Sequence, residues 1–182
     1  MNTRTRMVTI TLLLVFLLAV GISVSSAQDG ETPRPPETEV VYSEEYLNAS
    51  QALQNSALQD DEAQREQLLR EAIRWYTVDL ERRSDDVAVT YNNRGVAYYR
   101  LGEYELAIAD YNAALERSPA SADFVKNRGL AYEQMGDLEK ALADFRTFLS
   151  LIADAPSERR ETERGYFSAK VAELAPKITF EN

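Results

Sequence analysis

One helical hairpin is written twice in this chain, at an offset of 34 residues. Tyr91-Asn92-Asn93-Arg94-Gly95-Val96-Ala97-Tyr98 answers to Val125-Lys126-Asn127-Arg128-Gly129-Leu130-Ala131-Tyr132. Leu101-Gly102 answers to Met135-Gly136, Ala107 to Ala141, Tyr111 to Phe145 and Leu115 to Leu149. A fixed period of this length marks stacked supersecondary units, each burying a face that it cannot bury alone. The first unit occupies 86–121, with helices expected over about 87–101 and 104–117. The second occupies 122–155, with helices expected over about 122–135 and 138–152. Gly102 stands where the first helix must stop, because glycine tolerates the left-handed conformation that ends helices. Ser118-Pro119 closes the second, since a residue before proline is pushed out of helical geometry. Asp137 is positioned to cap the helix that follows it.

Residues 43–85 read as a degenerate copy of the same hairpin. Tyr46, Leu47, Ala49, Leu53 and Ala57 recur at helical spacing over 44–57. Asp60 or Asp61 then caps a longer helix that runs to about Arg82. Its end, Ala72-Ile73-Arg74-Trp75-Tyr76 followed by Leu80-Glu81-Arg82, echoes Ala107-Ile108-Ala109-Asp110-Tyr111 and Leu115-Glu116-Arg117. After Pro156 one more helix is expected over 157–174, with Pro176 stopping it and residues 176–182 as a tail. It carries a third Arg-Gly pair, Arg164-Gly165. It is expected to cap the stack with Tyr166, Val171 and Leu174 inward and Glu158, Arg159, Arg160, Glu161 and Glu163 outward. The fold class that results is all-α, a solenoid of antiparallel helical hairpins.

The first 27 residues have another layout. Arg4 and Arg6 precede an almost unbroken apolar run from Val8 to Val24, and Ser25-Ser26-Ala27 ends it with small residues. That is the three-part pattern of a secretory signal peptide, cleaved after Ala27. An uncleaved anchor is the alternative, since the run is near the lower limit for crossing a bilayer. No Cys follows it, so a lipid-modified cysteine is excluded. Residues 28–42, with Pro33, Pro35 and Pro36 among polar residues, read as a disordered linker.

Tyr91-x-x-Arg94-Gly95-x-x-Tyr98, followed by Ala107, Tyr111 and Pro119, resembles the tetratricopeptide repeat (TPR). The second unit fits as Val125, Arg128-Gly129, Tyr132, Ala141 and Phe145. The resemblance is strong over 88–155 and weak over 43–84 and 157–175. Arg94 and Arg128 stand where the family usually has Leu, Ala153 replaces the closing Pro, and Phe148 replaces a small residue, where it should push the following helix outward. The resemblance implies a right-handed superhelix. Gly95 and Gly129 fall inside helices, where glycine costs about 1 kcal/mol against Ala, so another helix is expected to pass close by. Ala97, Ala131, Ala107 and Ala141 serve the same approach, and Tyr98, Tyr111, Tyr132 and Phe145 fill the space between layers. The Arg-Gly pairs are expected to mark where neighbouring hairpins stack.

Each clear unit also places an Asp one residue before its second-helix aromatic, Asp110 and Asp144. Ladder-like ion pairs are expected between units, Asp110 with Arg128 and Asp144 with Arg164. Pairs within units, Arg94–Asp110 and Arg128–Asp144, are the alternative.

Chemistry is limited by what the chain lacks. With no His and no Cys it has neither the commonest general base nor a thiol, and nearly every zinc site is excluded. Asp60-Asp61-Glu62 and Asp85-Asp86 sit at helix starts, where negative charge is favourable without any catalytic role. No catalytic residue, metal ligand or cofactor is assigned, and no enzyme activity is expected. Removing residues 1–27 leaves 18 basic residues against 30 acidic, a net charge near −12, so nucleic acid and anionic lipid are poor partners. A membrane enters only if the N-terminal segment is retained.

The resemblance implies that first helices line a concave groove for a peptide or a partner helix. By repeat position the groove residues are Asn92, Asn93, Val96, Tyr99 and Arg100 from one unit. Lys126, Asn127, Leu130, Glu133 and Gln134 come from the next, with Thr162, Tyr166 and Lys170 from the last helix. The family's carboxylate-clamp pattern is met only in part: Asn127 fits and Arg159 can replace a Lys, but Val96 and Glu163 do not fit. Two functions follow. One is an exported adaptor or scaffold that binds a protein through the groove. The other is a structural or assembly factor of an envelope complex, acting by self-association or through its end and convex surfaces, so a homo-oligomer is allowed.

Overall fold

Serine and aspartate side chains start four of the helices; the last is started by Ser157, whose Oγ accepts the amide of Arg160 at 3.2 Å. In the computed structural model, which describes residues 42–83, 87–154 and 157–179, Ser43 accepts the amide of Tyr46 at the head of α1 (Glu44–Ser56). Asp61 accepts that of Gln64 before α2 (Glu62–Arg82), and Asp137 that of Lys140 before α6 (Leu138–Leu151). The other helices are α3 (Ala88–Arg100), α4 (Tyr104–Arg117), α5 (Ala122–Met135) and α7 (Glu158–Thr179). The described residues contain no strand. Residues 1–27 and most of the expected linker lie outside them. Of the linker only Tyr42 is described, stacked on Tyr46 with ring centroids 4.6 Å apart.

The helices pair as α1·α2, α3·α4 and α5·α6, and each pair packs on the next, with α7 against α6. This is an all-α solenoid. Gly102 and Gly136 adopt φ of 78° and 81° where α3 and α5 end, which L side chains rarely do. Gly95 and Gly129 meet a different constraint. A Cβ at Gly95 would lie 2.7 Å from Tyr111, and one at Gly129 2.8 Å from Phe145. Both aromatics belong to the second helix of the same hairpin. The glycines therefore close each hairpin on itself, and the stacking of neighbours rests on other atoms.

Apolar packing falls into clusters along the stack. Tyr46, Ala49, Ala52, Ala72 and Tyr76 fill the first hairpin. Ala88, Ala114 and Phe124, with Ala107, Tyr111 and Ala131, join the second hairpin to the third. Val125, Leu142, Phe145, Phe148, Ile152, Phe167 and Leu174 make the largest cluster, under α7. Phe145 and Phe148 are 0% exposed, and burying a side chain of that kind contributes roughly 1.5–3 kcal/mol. Of the four layer-filling aromatics, Tyr111 and Phe145 are buried, while Tyr98 and Tyr132 are half-buried.

The last helix departs from expectation in four ways. Phe167 is buried rather than Tyr166, which is 56% exposed. Phe148 packs edge-on to Phe167, ring centroids 4.9 Å apart, so a large ring in place of a small residue is what α7 rests upon. Glu163 and Arg160, expected outward, turn toward α5. Pro176 does not stop the helix, which continues to Thr179 with Pro176 inside its last turns. One missing N–H near a helix end is offset there by Leu174 and Ile178, which pack on the core cluster on either side of it.

Candidate functional site

The expected groove is the face made by the first helices, and its side chains are largely engaged with one another. Asn93 Nδ2 donates to the Tyr46 hydroxyl at 3.0 Å, Asn92 Nδ2 to Asn93 Oδ1 at 3.1 Å, and Asn127 Nδ2 to Asn92 Oδ1 at 2.9 Å. This amide chain ties α1 to α3 and α3 to α5. Arg100 folds back on the end of α1, its Nη1 donating to the Leu53 carbonyl at 3.1 Å and to Ser56 Oγ at 3.3 Å. A cation there meets the carbonyl end of a helix, where positive charge is favoured.

Between α5 and α7 the links are ionic. Lys126 Nζ lies 2.9 Å from Glu163, Lys170 Nζ 2.6 Å from Glu133, and Arg160 Nη1 3.3 Å from Asp123. Burial works against the charge on Lys170, but the Glu133 carboxylate holds it above its ordinary pKa. Burial likewise works to raise Glu163 and Asp123, yet hydrogen bonds from Lys126 and Arg160 hold both below the usual carboxylate range. Glu163, Arg160 and Asp123 were missed as members of this face. The signal was present, because all three pairs set opposite charges 37 residues apart.

Among the remaining predicted residues, Val96, Tyr99, Arg100, Asn127 and Leu130 come together around a half-open cavity of about 180 Å³, floored by Tyr111. Tyr111 entered the sequence reading only as a packing residue. Tyr99 also meets Tyr104, ring centroids 5.6 Å apart, and burial pushes its hydroxyl pKa up. Lys170 sits over the ring of Tyr166 at 5.5 Å. The structure thus joins Asn92, Asn93, Val96, Tyr99, Arg100, Asn127 and Leu130 into one surface. It engages Lys126 and Glu133 in ion pairs and leaves Tyr166 exposed.

The Arg–Asp pairs form within hairpins, not between them. Arg94 Nε and Nη2 meet the two oxygens of Asp110 at 2.8 and 2.7 Å, and Arg128 meets those of Asp144 at 2.8 Å each. Burial raises the Asp110 pKa, a pull that Arg94 opposes. The third nitrogen reaches the preceding hairpin: Arg94 Nη1 donates to Thr77 Oγ1 at 3.0 Å and Arg128 Nη1 to Asn112 Oδ1 at 2.7 Å. Arg164 finds no Asp across a hairpin, and its carboxylate partner is Glu161 of its own helix, 3.1 Å from Nη1. The position after Phe145 that corresponds to Asn112 is Arg146, and Arg164 instead donates to the carbonyls of Ile152 and Ala153 at the end of α6. Gly165 has nothing within 4 Å of a Cβ position, because no second helix stands behind it among the described residues.

Among the described residues no three His, Cys, Asp or Glu side chains are grouped to hold a metal ion, and no helix is long and apolar enough to cross a membrane. The surface offers amides, aromatic rings and one apolar hollow, which suit contact with another polypeptide.

Comparison with known proteins agrees with the repeat geometry. Residues 88–121 and 127–154 each match a family model described as tetratricopeptide repeat. No curated protein matches the chain. Among solved structures, the type III secretion translocator chaperone SycD of Yersinia enterocolitica aligns with a TM-score of 0.58 and 17% identity, covering 71% of this chain and 85% of that one. PcrH in complex with the chaperone binding region of PopD gives 0.57 and 19%, covering 75% and 96%. The second TPR domain of human RPAP3, in complex with the HSP70 peptide SGPTIEEVD, gives 0.51 and 22%, covering 68% and 95%. At these identities the likeness is one of fold. Two matched repeats, hairpins closed at Gly95 and Gly129, and the shared architecture make residues 88–154 of this chain similar to tetratricopeptide repeats.

Proposed function

We propose that the protein is an exported, non-catalytic interaction module that holds a segment of a protein partner on its first-helix face. The observation that carries this reading is the half-open cavity of about 180 Å³ among Val96, Tyr99, Tyr111, Asn127 and Leu130. Apolar walls with a few polar groups, here Asn127 and Arg100, are what a side chain leaving water requires. The structural neighbours support it: PcrH is seen with the chaperone binding region of PopD, and RPAP3 with an HSP70 peptide. Export rests on residues 1–27 alone, and a membrane role on their retention. The competing reading is an assembly factor that acts through its end or its second-helix face.

The test is affinity capture with the full chain and two variants. Tyr99→Ala with Leu130→Ser alters the first-helix face, and Leu106→Glu with Arg146→Glu alters exposed positions on second helices. Partners lost only with the first pair support the groove, whereas partners lost only with the second support the assembly role. Export is read separately, as a mature N-terminus at Gln28.

A further inference from the structure

The direction of the amide chain determines what the α3–α5 cavity accepts. Asn127 donates to Asn92, Asn92 to Asn93 and Asn93 to Tyr46. Reversing any single amide would set donor against donor or acceptor against acceptor. Asn127 therefore stands at the accepting end. One hydrogen of its Nδ2 is engaged, and its Oδ1 receives no hydrogen bond from the described residues while the residue lines the cavity. An occupant that brings a donor satisfies that oxygen. A carboxylate placed there would set acceptor against acceptor and would have only the second Nδ2 hydrogen to meet.

The cations of the same face lead to the same conclusion. Lys126, Arg160 and Lys170 are already matched by Glu163, Asp123 and Glu133, so an acidic peptide would have to displace an existing carboxylate. Arg100 lines the cavity, but its Nη1 is held on the C-terminal end of α1. The chain as a whole carries a net charge of −10, which draws cationic segments and repels acidic ones. A dry cavity of about 150 Å³ takes a benzene ring. The hollow here, at about 180 Å³, has room for one branched aliphatic or aromatic side chain.

Resting on the reading that this face binds protein, we propose that the α3–α5 cavity seats one apolar side chain of an extended partner segment with basic flanks. An N–H of that segment donates to Asn127 Oδ1, and the site discriminates against acidic peptides that end in a free carboxylate.

The experiment measures binding of the full chain to three fluorescent peptides with the same central Leu. One has Lys flanks, one Ser flanks, and one Glu flanks with a free terminal carboxylate. The Lys-flanked peptide is expected to bind at least about tenfold more tightly than the Glu-flanked one. The gap should narrow with added salt, as exposed charges are screened. Replacing the central Leu with Ser should weaken binding by a further factor of about ten. Val96→Trp, which fills the cavity, should abolish binding while thermal unfolding stays cooperative. If that variant does not fold, the flank and Leu→Ser comparisons on the unaltered protein decide the matter. Equal or tighter binding of the Glu-flanked peptide overturns the proposal, as does indifference to the central Leu or no binding of any peptide. Those outcomes leave the broader reading to the capture experiment, which fails separately if partners follow the second-helix variant.

Discussion

Arg128 grips Asp144 with two nitrogens, Nε and Nη2 each 2.8 Å from a carboxylate oxygen, and sends its third to Asn112 of the preceding hairpin at 2.7 Å. Arg94 repeats the arrangement with Asp110 and Thr77. One guanidinium thus closes its own hairpin and touches the one before it. Asp144→Ala would leave that cation half-buried with its main partner gone. Stability should fall by roughly 2–3 kcal/mol, at the lower end for a broken buried pair because Arg128 keeps some solvent contact. Urea denaturation measures it. A loss below about 0.5 kcal/mol would place the pair among ordinary surface bridges.

The glycines can be ranked by what a side chain would strike. Gly129→Leu puts its Cβ 2.8 Å from Phe145 and 3.0 Å from Asp144 Cβ, and should destabilise by several kcal/mol through overpacking. Gly165→Ala meets nothing within 4 Å and lies inside α7, so it should stabilise by about 1 kcal/mol. Thermal unfolding of the two variants should therefore move in opposite directions. An unchanged melting temperature for Gly129→Leu would falsify the close approach.

Gly136 tests conformation without crowding. At φ of 81° it has open space around it, yet Gly136→Ala should cost about 1–2 kcal/mol because L residues disfavour that region. A loss of that size in chemical denaturation, with partner binding retained, is the expected result.

Acid should loosen α7 from α5. Asp123 and Glu163 are held below their ordinary values of 3.8 and 4.5 by Lys126 and Arg160. A lowered folded pKa means stability that is complete above the unfolded value and lost as pH falls through the folded one. The loss should therefore begin near pH ~4.5 and deepen below it. Asp110, raised by burial, contributes with the opposite sign and offsets part of the loss. Denaturation at pH ~6 and ~3 should show a smaller difference in the variant Asp123→Asn with Glu163→Gln. An identical difference would mean that these ion pairs do not set the acid response.

Much of this was legible in the residues. The period of 34, the stop at Gly102 and the caps at Asp61 and Asp137 all appear where local chemistry requires them, because each depends on a few neighbouring residues. The meeting of Val96, Tyr99 and Leu130 on one face followed from the same repeat register. The choice of partner for Asp110 did not. Arg94 and Arg128 occupy equivalent positions, and only the distances across a packed hairpin separate them. Tyr166 and Phe167 are adjacent and both aromatic, so one residue of helical rotation decides which is buried. The ion pairs at a spacing of 37 depend on the length of the α6–α7 connection, which shifts α7 from the period of the repeats.

The amino-acid sequence by itself determined that the chain makes stacked helical hairpins and holds neither histidine nor cysteine, since periodicity and composition are properties of the chain alone. Only the tertiary structure decided which charges pair, which ring enters the core, and whether the side-chain oxygen or nitrogen of Asn127 meets Asn92. Those are contests between chemically similar groups, and they are settled by distance and exclusion of water.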